Sequence, residues 1–323
     1  MKPKVIVYKK LPEDILNSLK QVCEIKYYPD SEDYSIFFHD LHDAEGMIGA
    51  GMRIDQHFLK QAPKLRIVSN VSVGYDNLDI QELTKRNIMA TNTPDVLNET
   101  TADAIFGLLL ITARRMAELD RYVKEGKWEA PIGENLFGVD VHHKTLGIIG
   151  MGKIGTAIAK RAHFGFGMNI LYHNRSRNQK AEEQFHATYC ELEDLLKQSD
   201  FVCLMTPLTS ETKHLIGLKQ FQLMKRSAIF INGSRGQTVN EKDLIYALQN
   251  KLILGAGLDV FEQEPVPKDH PLLKMNNVVT LPHIGSATYE TRYAMAKLAA
   301  ENLIKGLKGL CPPNLINQEV MRK

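Results

Sequence analysis

Residues 146–162 read LGIIGMGKIGTAIAKRA and decide the fold of this 323-residue chain. The apolar run Leu146–Ile149 predicts a buried strand, and TAIAKRA predicts a helix that follows directly. Between them, GMGKIG matches the G-x-G-x-x-G spacing of strand–turn–helix units that bind dinucleotides. Gly150 permits the tight turn, Gly152 lets the backbone approach a pyrophosphate, and Gly155 lets the helix pack close to the strand. The helix N terminus would offer N–H groups to the phosphates, so Lys153 and Ile154 join the predicted cofactor site.

The end of the next predicted strand indicates which dinucleotide is bound. Enzymes that use NAD place an acidic residue there, about 20 residues on, to hold the ribose 2′-hydroxyl. Here no carboxylate occurs between Gly155 and Ala181, and the strand is followed by Asn174, Arg175, Ser176 and Arg177. Two guanidiniums and a hydroxyl suit a 2′-phosphate, although a solvated basic loop is the simpler alternative. The loop favours NADPH, with NADH as a second cofactor.

Apolar strands alternate with helical patterns along the chain, which predicts parallel sheets with helices on both faces. One series of strands comprises 4–8, 46–49, 65–70 and 88–90, and the other 146–149, 170–173, 201–205, 228–232, 257–260 and 278–280. Residues 101–126 predict one long helix between the two series, and 289–307 predict another after the second. We expect a doubly wound dinucleotide-binding domain at 101–284, inserted in a smaller substrate-binding domain made of 1–100 and 285–323.

Composition and charge exclude several classes of function. The 40 basic and 38 acidic residues are mixed along the chain and give a net charge of +2, without the basic run that a nucleic-acid partner would require. No stretch approaches the roughly 20 apolar residues of a membrane span, and the first residues lack a secretory pattern. The four cysteines form no C-x-x-C pair, so neither a metal site nor a disulfide framework is expected. The chain therefore fits a cytoplasmic location.

Three polar segments lie at the predicted carboxyl ends of strands, the edge where open α/β sheets bind ligands. They carry Arg235, then Asp259 and Glu264, then His283. Arginine suits the binding of a carboxylate, because its planar guanidinium matches the two carboxylate oxygens and because it stays protonated. Histidine suits proton transfer near neutral pH, and a neighbouring carboxylate favours the protonated imidazole and fixes its orientation. Such a set fits the reduction of a 2-keto acid, with the hydride coming from a nicotinamide.

Each of these residues has a simpler interpretation when taken alone. Arg235 could form a loop salt bridge, Glu264 could be a turn acid before Pro265, and His283 could be a buried histidine with a satisfied hydrogen bond. Their joint occurrence at three strand ends of one dinucleotide fold favours the catalytic interpretation.

Six segments together resemble the D-isomer-specific 2-hydroxyacid dehydrogenases over nearly the whole chain. They are VSVGYDN (71–77), VHHKTLGIIGMGKIG (141–155), RAHFGFGM (161–168), SDFVCLMTPLT (199–209), GLDVFEQEP (257–265) and LPHIGSATYETR (281–292). The resemblance implies two Rossmann-like domains, the smaller of them flavodoxin-like, and a homodimer in which the segment Trp128–His143 takes part.

The resemblance also assigns roles residue by residue. It implies that Arg235 binds substrate, that Glu264 pairs with the histidine, and that His283 is the proton donor. The remaining positions would bind the substrate carboxylate through backbone N–H groups (Val73, Gly74), lie against the cofactor (Thr206, Pro207) or contact the nicotinamide carboxamide (Asp259).

The expected function is therefore the NADPH-dependent reduction of small 2-keto acids, such as glyoxylate, hydroxypyruvate and 2-keto-D-gluconate, to D-2-hydroxy acids. Two alternatives remain on the same fold. One is an NAD-dependent relative such as a phosphoglycerate dehydrogenase, against which the loop 174–177 argues. The other is a dinucleotide-sensing corepressor or scaffold, which could keep the same three residues without turnover.

Overall fold

The computed structural model describes residues 2–29 and 34–322, with the backbone only at residues 34 and 35. Positions 1, 30–33 and 323 of the predicted substrate-binding domain lie outside the described residues. The chain divides into two compact units, one made of residues 1–97 and 287–323 and the other of residues 98–286.

The first unit contains a five-stranded parallel sheet in the order β2-β1-β3-β4-β5, the strand order of flavodoxin-like folds. Its elements are β1 (Lys4–Val7), α1 (Glu13–Val22), β2 (Glu24–Tyr27), α2 (Tyr34–Leu41), β3 (Gly46–Gly49), α3 (Gln56–Leu59), β4 (Ile67–Asn70), α4 (Ile80–Lys85) and β5 (Met89–Thr91). The sequence analysis missed β2. Its residues EIKY are half-buried or exposed, because an edge strand buries little, and they give no apolar run.

The second unit contains a seven-stranded parallel sheet with helices on both faces. Its elements are α5 (Asn98–Ala113), α6 (Met116–Lys124), β6 (Thr145–Ile149), α7 (Lys153–Phe166), β7 (Asn169–His173), α8 (Gln179–Phe185), β8 (Thr188–Tyr189), α9 (Leu192–Gln198), β9 (Phe201–Leu204), α10 (Leu218–Leu223), β10 (Ile229–Asn232), α11 (Glu241–Gln249), β11 (Gly255–Leu258) and β12 (Val278–Thr280). The strand order β12-β11-β10-β9-β6-β7-β8 reverses between β6 and β9, as in dinucleotide-binding folds. The predicted fold class is confirmed.

Two apolar clusters cover the faces of this larger sheet. On one face, α5, α7 and α8 bury residues such as Leu108 and Ile158 against the strands. On the other face, α9, α10 and α11 bury residues such as Leu195, Phe221 and Leu244. Because helices cover both faces, a ligand can reach the sheet only at the ends of its strands.

The prediction of a single helix over 101–126 is wrong in one respect, because the structure has two helices there, α5 and α6. Arg115 has the left-handed φ of 56° between them. Its guanidinium binds Glu118 through two hydrogen bonds of 2.8 and 2.9 Å and donates to the carbonyl of Asn135 at 2.6 Å. A cost of roughly 1–2 kcal/mol for the left-handed residue is offset by these bonds, which the helical pattern of the sequence does not reveal.

The last helix, α12 (Tyr289–Leu307), returns to the first unit and packs against β3, β4, β5 and α1. Buried Ser69 donates a hydrogen bond of 2.7 Å to the carbonyl of Ala299. Beyond α12, Asn317 accepts a bond of 2.8 Å from the N–H of Ala90. None of the helices in the described part of the chain has both the length and the apolar character that crossing a membrane requires.

Candidate active site

The carboxyl edge of the seven-stranded sheet collects most of the predicted site residues. Because all its strands are parallel, the segments after β6, β7, β9, β10, β11 and β12 lie at this one edge. They carry, in order, the glycine turn, the loop 174–178, Thr206, Arg235, Asp259 and His283. The strand order reverses between β6 and β9, and ligands of open α/β sheets bind outside the strand ends at such a point.

The glycine turn has the geometry that its three glycines predict. Gly150 has a φ of +104°, and a Cβ there would lie 2.8 Å from the carbonyl carbon of Met205. A Cβ on Gly155 would lie 2.3 Å from the carbonyl oxygen of Gly150, so α7 can approach the turn only with glycine at this position. Gly152 faces open space and is the N-cap of α7, without a side-chain cap. The N terminus of α7 therefore presents a small, uncapped surface to a phosphate.

A buried hydroxyl group beside the glycine turn is a second observation that fits a bound dinucleotide at this edge. The hydroxyl oxygen of Thr206 is buried and has no hydrogen-bond partner within residues 2–29 and 34–322. Thr206 lies in the turn after β9, and Gly150 packs against its backbone nitrogen. An unpaired buried hydroxyl beside the glycine turn would gain a partner from a bound cofactor. Pro207 continues this turn, which is closed by a bond of 2.6 Å from the hydroxyl of Thr212 to its carbonyl.

The two arginines of the loop after β7 differ in their ion pairs. Arg175 and Ser176 are exposed, and Arg175 has no ion-pair partner in the described part of the chain. Asn174 donates a bond of 3.1 Å to the carbonyl of Ser176. Arg177, in contrast, binds Glu182 of α8 through two hydrogen bonds of 2.9 and 2.8 Å. The sequence analysis missed Glu182 because it lies eight residues beyond Asn174, where the acid of an NAD site would be.

Asn178, also missed, joins this loop to the glycine turn. Its side-chain amide donates to the carbonyl of Met151 at 3.0 Å and lies 3.3 Å from the hydroxyl of Thr156. The side-chain oxygen Oδ1 of Asn178 accepts a hydrogen bond from the N–H of Ala181 and so caps the N terminus of α8. The loop 174–178 is thereby held next to the turn on which the phosphates would lie.

His283 and Glu264 form the central pair of the site. Nδ1 of His283 lies 2.7 Å from Oε2 of Glu264, and their side chains are 47% and 36% exposed. The other oxygen of Glu264 accepts a hydrogen bond of 3.0 Å from the N–H of Phe261. With Nδ1 engaged, the Nε2 position of the imidazole remains for a substrate, and half the side chain is accessible.

Burial of Glu264 opposes its ionisation, but the bonds from His283 and from the N–H of Phe261 outweigh burial and hold the pKa of Glu264 below its usual value. The positive charge of Arg235 contributes in the same direction. Glu264 is therefore a carboxylate at neutral pH and a charged acceptor for Nδ1 of His283.

Asp259 fixes the backbone that carries His283. Its two carboxylate oxygens accept bonds of 2.7 and 2.9 Å from the N–H groups of Ile284 and Gly285. His283 itself has a left-handed φ of 53°. Burial raises the pKa of Asp259, although the two N–H donors and the charge of His283 oppose that rise. The sequence analysis assigned Asp259 only to the cofactor and missed this clamp, because it joins residues 25 and 26 positions apart.

Arg235 lies in a tight turn after β10 that is locked to the loop of Glu264. Asn232 and Thr238 both donate to the carbonyl of Arg235, at 3.1 and 2.6 Å. A Cβ on the next residue, Gly236, would lie 1.8 Å from the carbonyl carbon of Phe261. Close packing of the two backbones therefore sets the position of Arg235 relative to Glu264.

Two further histidine–carboxylate contacts hold the loop of Glu264 through its neighbour Glu262. His214 lies 3.0 Å from Glu262, and His270 lies 3.3 Å from Glu241. Glu241 in turn accepts a bond of 2.8 Å from the N–H of Glu262. No local sequence pattern joins His214 to Glu262, because the two residues lie far apart along the chain.

Val73 and Gly74 belong to the first unit, in the loop after β4. Asn92 donates to the carbonyl of Val73 at 2.8 Å, and Asn70 donates to that of Gly74 at 2.8 Å. Within the described residues, the N–H groups of Val73 and Gly74 have no acceptor. A loop with its carbonyls engaged and its N–H groups available suits an anion.

Residues 106–285 match the family model described as the NAD binding domain of D-isomer specific 2-hydroxyacid dehydrogenases. The chain belongs to this family. The match spans both the glycine turn and the pair of His283 and Glu264. The dehydrogenase is thus an oxidoreductase whose larger unit has a known cofactor class, NAD or NADP.

Relatives of this dehydrogenase cover its full length. Glyoxylate/hydroxypyruvate reductase B of Escherichia coli strain ATCC 8739 is 53% identical over 326 residues, which is 99% of each chain. The NADPH-dependent glyoxylate/hydroxypyruvate reductase of Sinorhizobium meliloti, solved with NADP and malonate, is 33% identical with a TM-score of 0.90, covering 100% of this chain and 99% of its own. A protein from Thermus thermophilus is 40% identical with a TM-score of 0.89, covering 97% and 99%.

Proposed function

We propose that this dehydrogenase reduces glyoxylate and hydroxypyruvate, and also 2-keto-D-gluconate, to D-2-hydroxy acids with NADPH. The observation on which the proposal rests is the contact of 2.7 Å between His283 and Glu264 at the sheet edge that bears the glycine turn. The names of the Escherichia coli and Sinorhizobium meliloti relatives support the first two substrates. The third follows from the family resemblance.

Substrate binding is proposed for Arg235 and for the loop after β4. The guanidinium of Arg235 presents two parallel N–H donors, which match a carboxylate and polarise the adjacent ketone. The available N–H groups of Val73 and Gly74 would bind a carboxylate oxygen.

Proton transfer is proposed for His283. The bound cofactor supplies the hydride that reduces the keto carbon. As negative charge develops on the keto oxygen, the protonated imidazole donates its Nε2 proton to that oxygen. Glu264 holds Nδ1 throughout, so the imidazole keeps its orientation in both the charged and the neutral state. Asp259 holds the backbone of His283, and it would also lie beside the nicotinamide carboxamide.

Preference for NADPH over NADH is proposed from the loop after β7. Arg175 and Ser176 are exposed and next to the turn that Asn178 anchors, and the loop 174–177 contains no carboxylate to repel a 2′-phosphate. Thr206 and Pro207 would lie against the cofactor, where the unpaired hydroxyl of Thr206 would gain a partner.

The test is the rate of cofactor oxidation at 340 nm with glyoxylate, hydroxypyruvate, 2-keto-D-gluconate and pyruvate, each with NADPH and with NADH. Faster oxidation of NADPH with one of the first three acids would support both the reaction and the cofactor preference. Binding of NADPH without any oxidation would overturn the reductase and favour a dinucleotide-sensing role.

A further inference from the structure

Glu182 places a negative charge next to the loop that we propose for the 2′-phosphate. Its two carboxylate oxygens accept from Nε and Nη2 of Arg177 at 2.9 and 2.8 Å, a bidentate pair. Glu182 lies in the first turns of α8, which begins at Gln179 directly after the loop. The pair therefore neutralises one of the two guanidiniums that the sequence offers to a phosphate.

The position of Glu182 is fixed from the protein interior. The hydroxyl of Tyr172, a buried residue of β7, donates a bond of 2.5 Å to the carboxylate. The same hydroxyl accepts from the N–H of Asn178 at 2.8 Å, and Asn178 is bonded to the glycine turn. Such a network holds the carboxylate at one place relative to the turn, unlike an isolated surface ion pair, whose geometry is loose. The bonds from Arg177 and then Tyr172 hold the pKa of Glu182 below its usual value, so that it is charged at neutral pH.

We propose that Glu182 limits the affinity for NADPH by neutralising Arg177, and that Arg175 with Ser176 provides the contacts to the 2′-phosphate. This inference rests on the proposed use of NADPH. It predicts a reductase that keeps a useful affinity for NADH, because of the two guanidiniums in the loop only that of Arg175 has no ion-pair partner among the described residues. Glu182 would act as a specificity-determining residue through Arg177.

The direction of the effect follows from Coulomb's law. A 2′-phosphate carries close to two negative charges, so a fixed carboxylate nearby weakens its binding, and removal of that charge strengthens it. For exposed groups in water, each such charge changes affinity by about threefold to tenfold. NADH has a hydroxyl at this position and should be insensitive.

The experiment measures dissociation constants of NADPH and NADH, by the fluorescence of the reduced nicotinamide, for the parent chain, four variants of the loop network and one control variant. Glu182→Gln removes the charge, Arg177→Ala removes its partner, the double variant removes both, and Arg175→Ala removes the unpaired guanidinium. Asp120→Asn is the matched control, because Asp120 pairs with Lys124 of the same helix at 2.7 Å and is remote in sequence from the loop.

The expected result has three parts. Glu182→Gln should bind NADPH about threefold to tenfold more tightly, with NADH unchanged, and the gain should disappear in the double variant with Arg177→Ala. Arg175→Ala should weaken NADPH at least about tenfold and leave NADH unchanged. Asp120→Asn should match the parent for both cofactors.

Three results would overturn the inference. Weaker NADPH binding by Glu182→Gln and Arg177→Ala alike would make Arg177 a phosphate ligand that Glu182 positions. Equal weakening of NADPH and NADH would make the network a support of the loop alone, and an unchanged affinity would remove Glu182 from recognition. Failure of the parent chain to bind NADPH would instead overturn the proposed cofactor, so the two failures are distinguishable.

Discussion

At the residue scale, the side chain and the backbone of His283 are held by different carboxylates. Glu264 binds Nδ1 of the imidazole, whereas Asp259 binds the two N–H groups that follow His283 in the chain. The left-handed φ of 53° costs roughly 1–2 kcal/mol for a residue with a side chain. Two charge-assisted bonds to Asp259 offset that cost, and the imidazole is thereby set before a substrate arrives.

Replacement of His283 by alanine should reduce kcat by about a hundredfold to ten-thousandfold, because the variant has no group to protonate the reduced oxygen. The dissociation constant of NADPH should change little, since no hydrogen bond or ion pair between the described residues joins the side chain of His283 to the glycine turn. Steady-state kinetics and fluorescence titration would measure the two quantities. Unchanged turnover would contradict the assignment of His283 as proton donor.

Glu264→Gln should alter the acidic limb of the pH–rate profile. In the folded protein the pKa of Glu264 is lowered, so its carboxylate stays ionised below the usual carboxyl pKa and is lost only as the pH falls through the lowered value. Glutamine cannot titrate, so this part of the acidic limb should disappear, while the rate at neutral pH falls because Nδ1 of His283 loses its charged acceptor. Profiles of kcat that extend below the usual carboxyl pKa, within the range where the protein stays folded, would test this, and identical profiles there would exclude a role for Glu264 in the pH dependence.

At the element scale, the sequence predicted the strands that are buried on both faces, because each is a short apolar run. It failed at β2 and β8, where exposure removes the apolar pattern, and at the break between α5 and α6, where the bonds of Arg115 override helical periodicity. Local patterns report burial and spacing. They do not report bonds between residues that are distant along the chain.

The same limit applies to the site. The glycine turn was predicted because each glycine has a local steric role, and Gly150 and Gly155 are in contact with backbone as expected. The pair of Glu264 and His283 was predicted from their strand ends. Glu182, Asn178 and the backbone clamp of Asp259 were missed, because their roles depend on which chain segments meet at the sheet edge.

Gly236→Ala should separate the segments of Arg235 and Glu264. The added Cβ would overlap the backbone of Phe261, which neither segment can avoid without moving. Overpacking of this kind costs about 1–3 kcal/mol, and kcat should fall with it. Urea unfolding and steady-state kinetics would measure both effects.

Gly107→Ala is the matched control, because a Cβ there has open space within α5 and alanine favours a helix. It should unfold at the same or a higher urea concentration and keep full activity. Equal activity of the Gly236 variant and this control would show that the close packing at Phe261 has no functional part.

At the scale of the whole molecule, the segment from α6 to Phe137 carries several exposed apolar side chains, and clustered exposed apolar surface often marks a protein interface. Its exposed side chains are Met116, Val123, Trp128, Ile132 and Phe137. A homodimer in which residues 128–143 take part stays a prediction, and it can be tested at this segment.

Phe137→Asp should therefore shift the protein from dimer to monomer, because a carboxylate at a 57% exposed apolar position would be buried without a partner in the interface. Light scattering after size-exclusion chromatography would report the mass at micromolar concentration. Tyr246→Asp, at an exposed aromatic on α11, is the control and should leave the mass unchanged. A parent chain with the mass of one subunit would contradict the dimer.

The division of the first unit between the two ends of the chain imposes an order on biosynthesis. The larger unit is one continuous stretch, residues 98–286, and can complete its core while the ribosome still holds the remainder. The smaller unit must wait, because α12, which packs on β3, β4 and β5, and Asn317, which bonds to β5, are made last. Residues 1–97 are thus synthesised before the larger unit but complete their core after it, and until then the sheet face that α12 will cover is open to the misassembly that chaperones prevent.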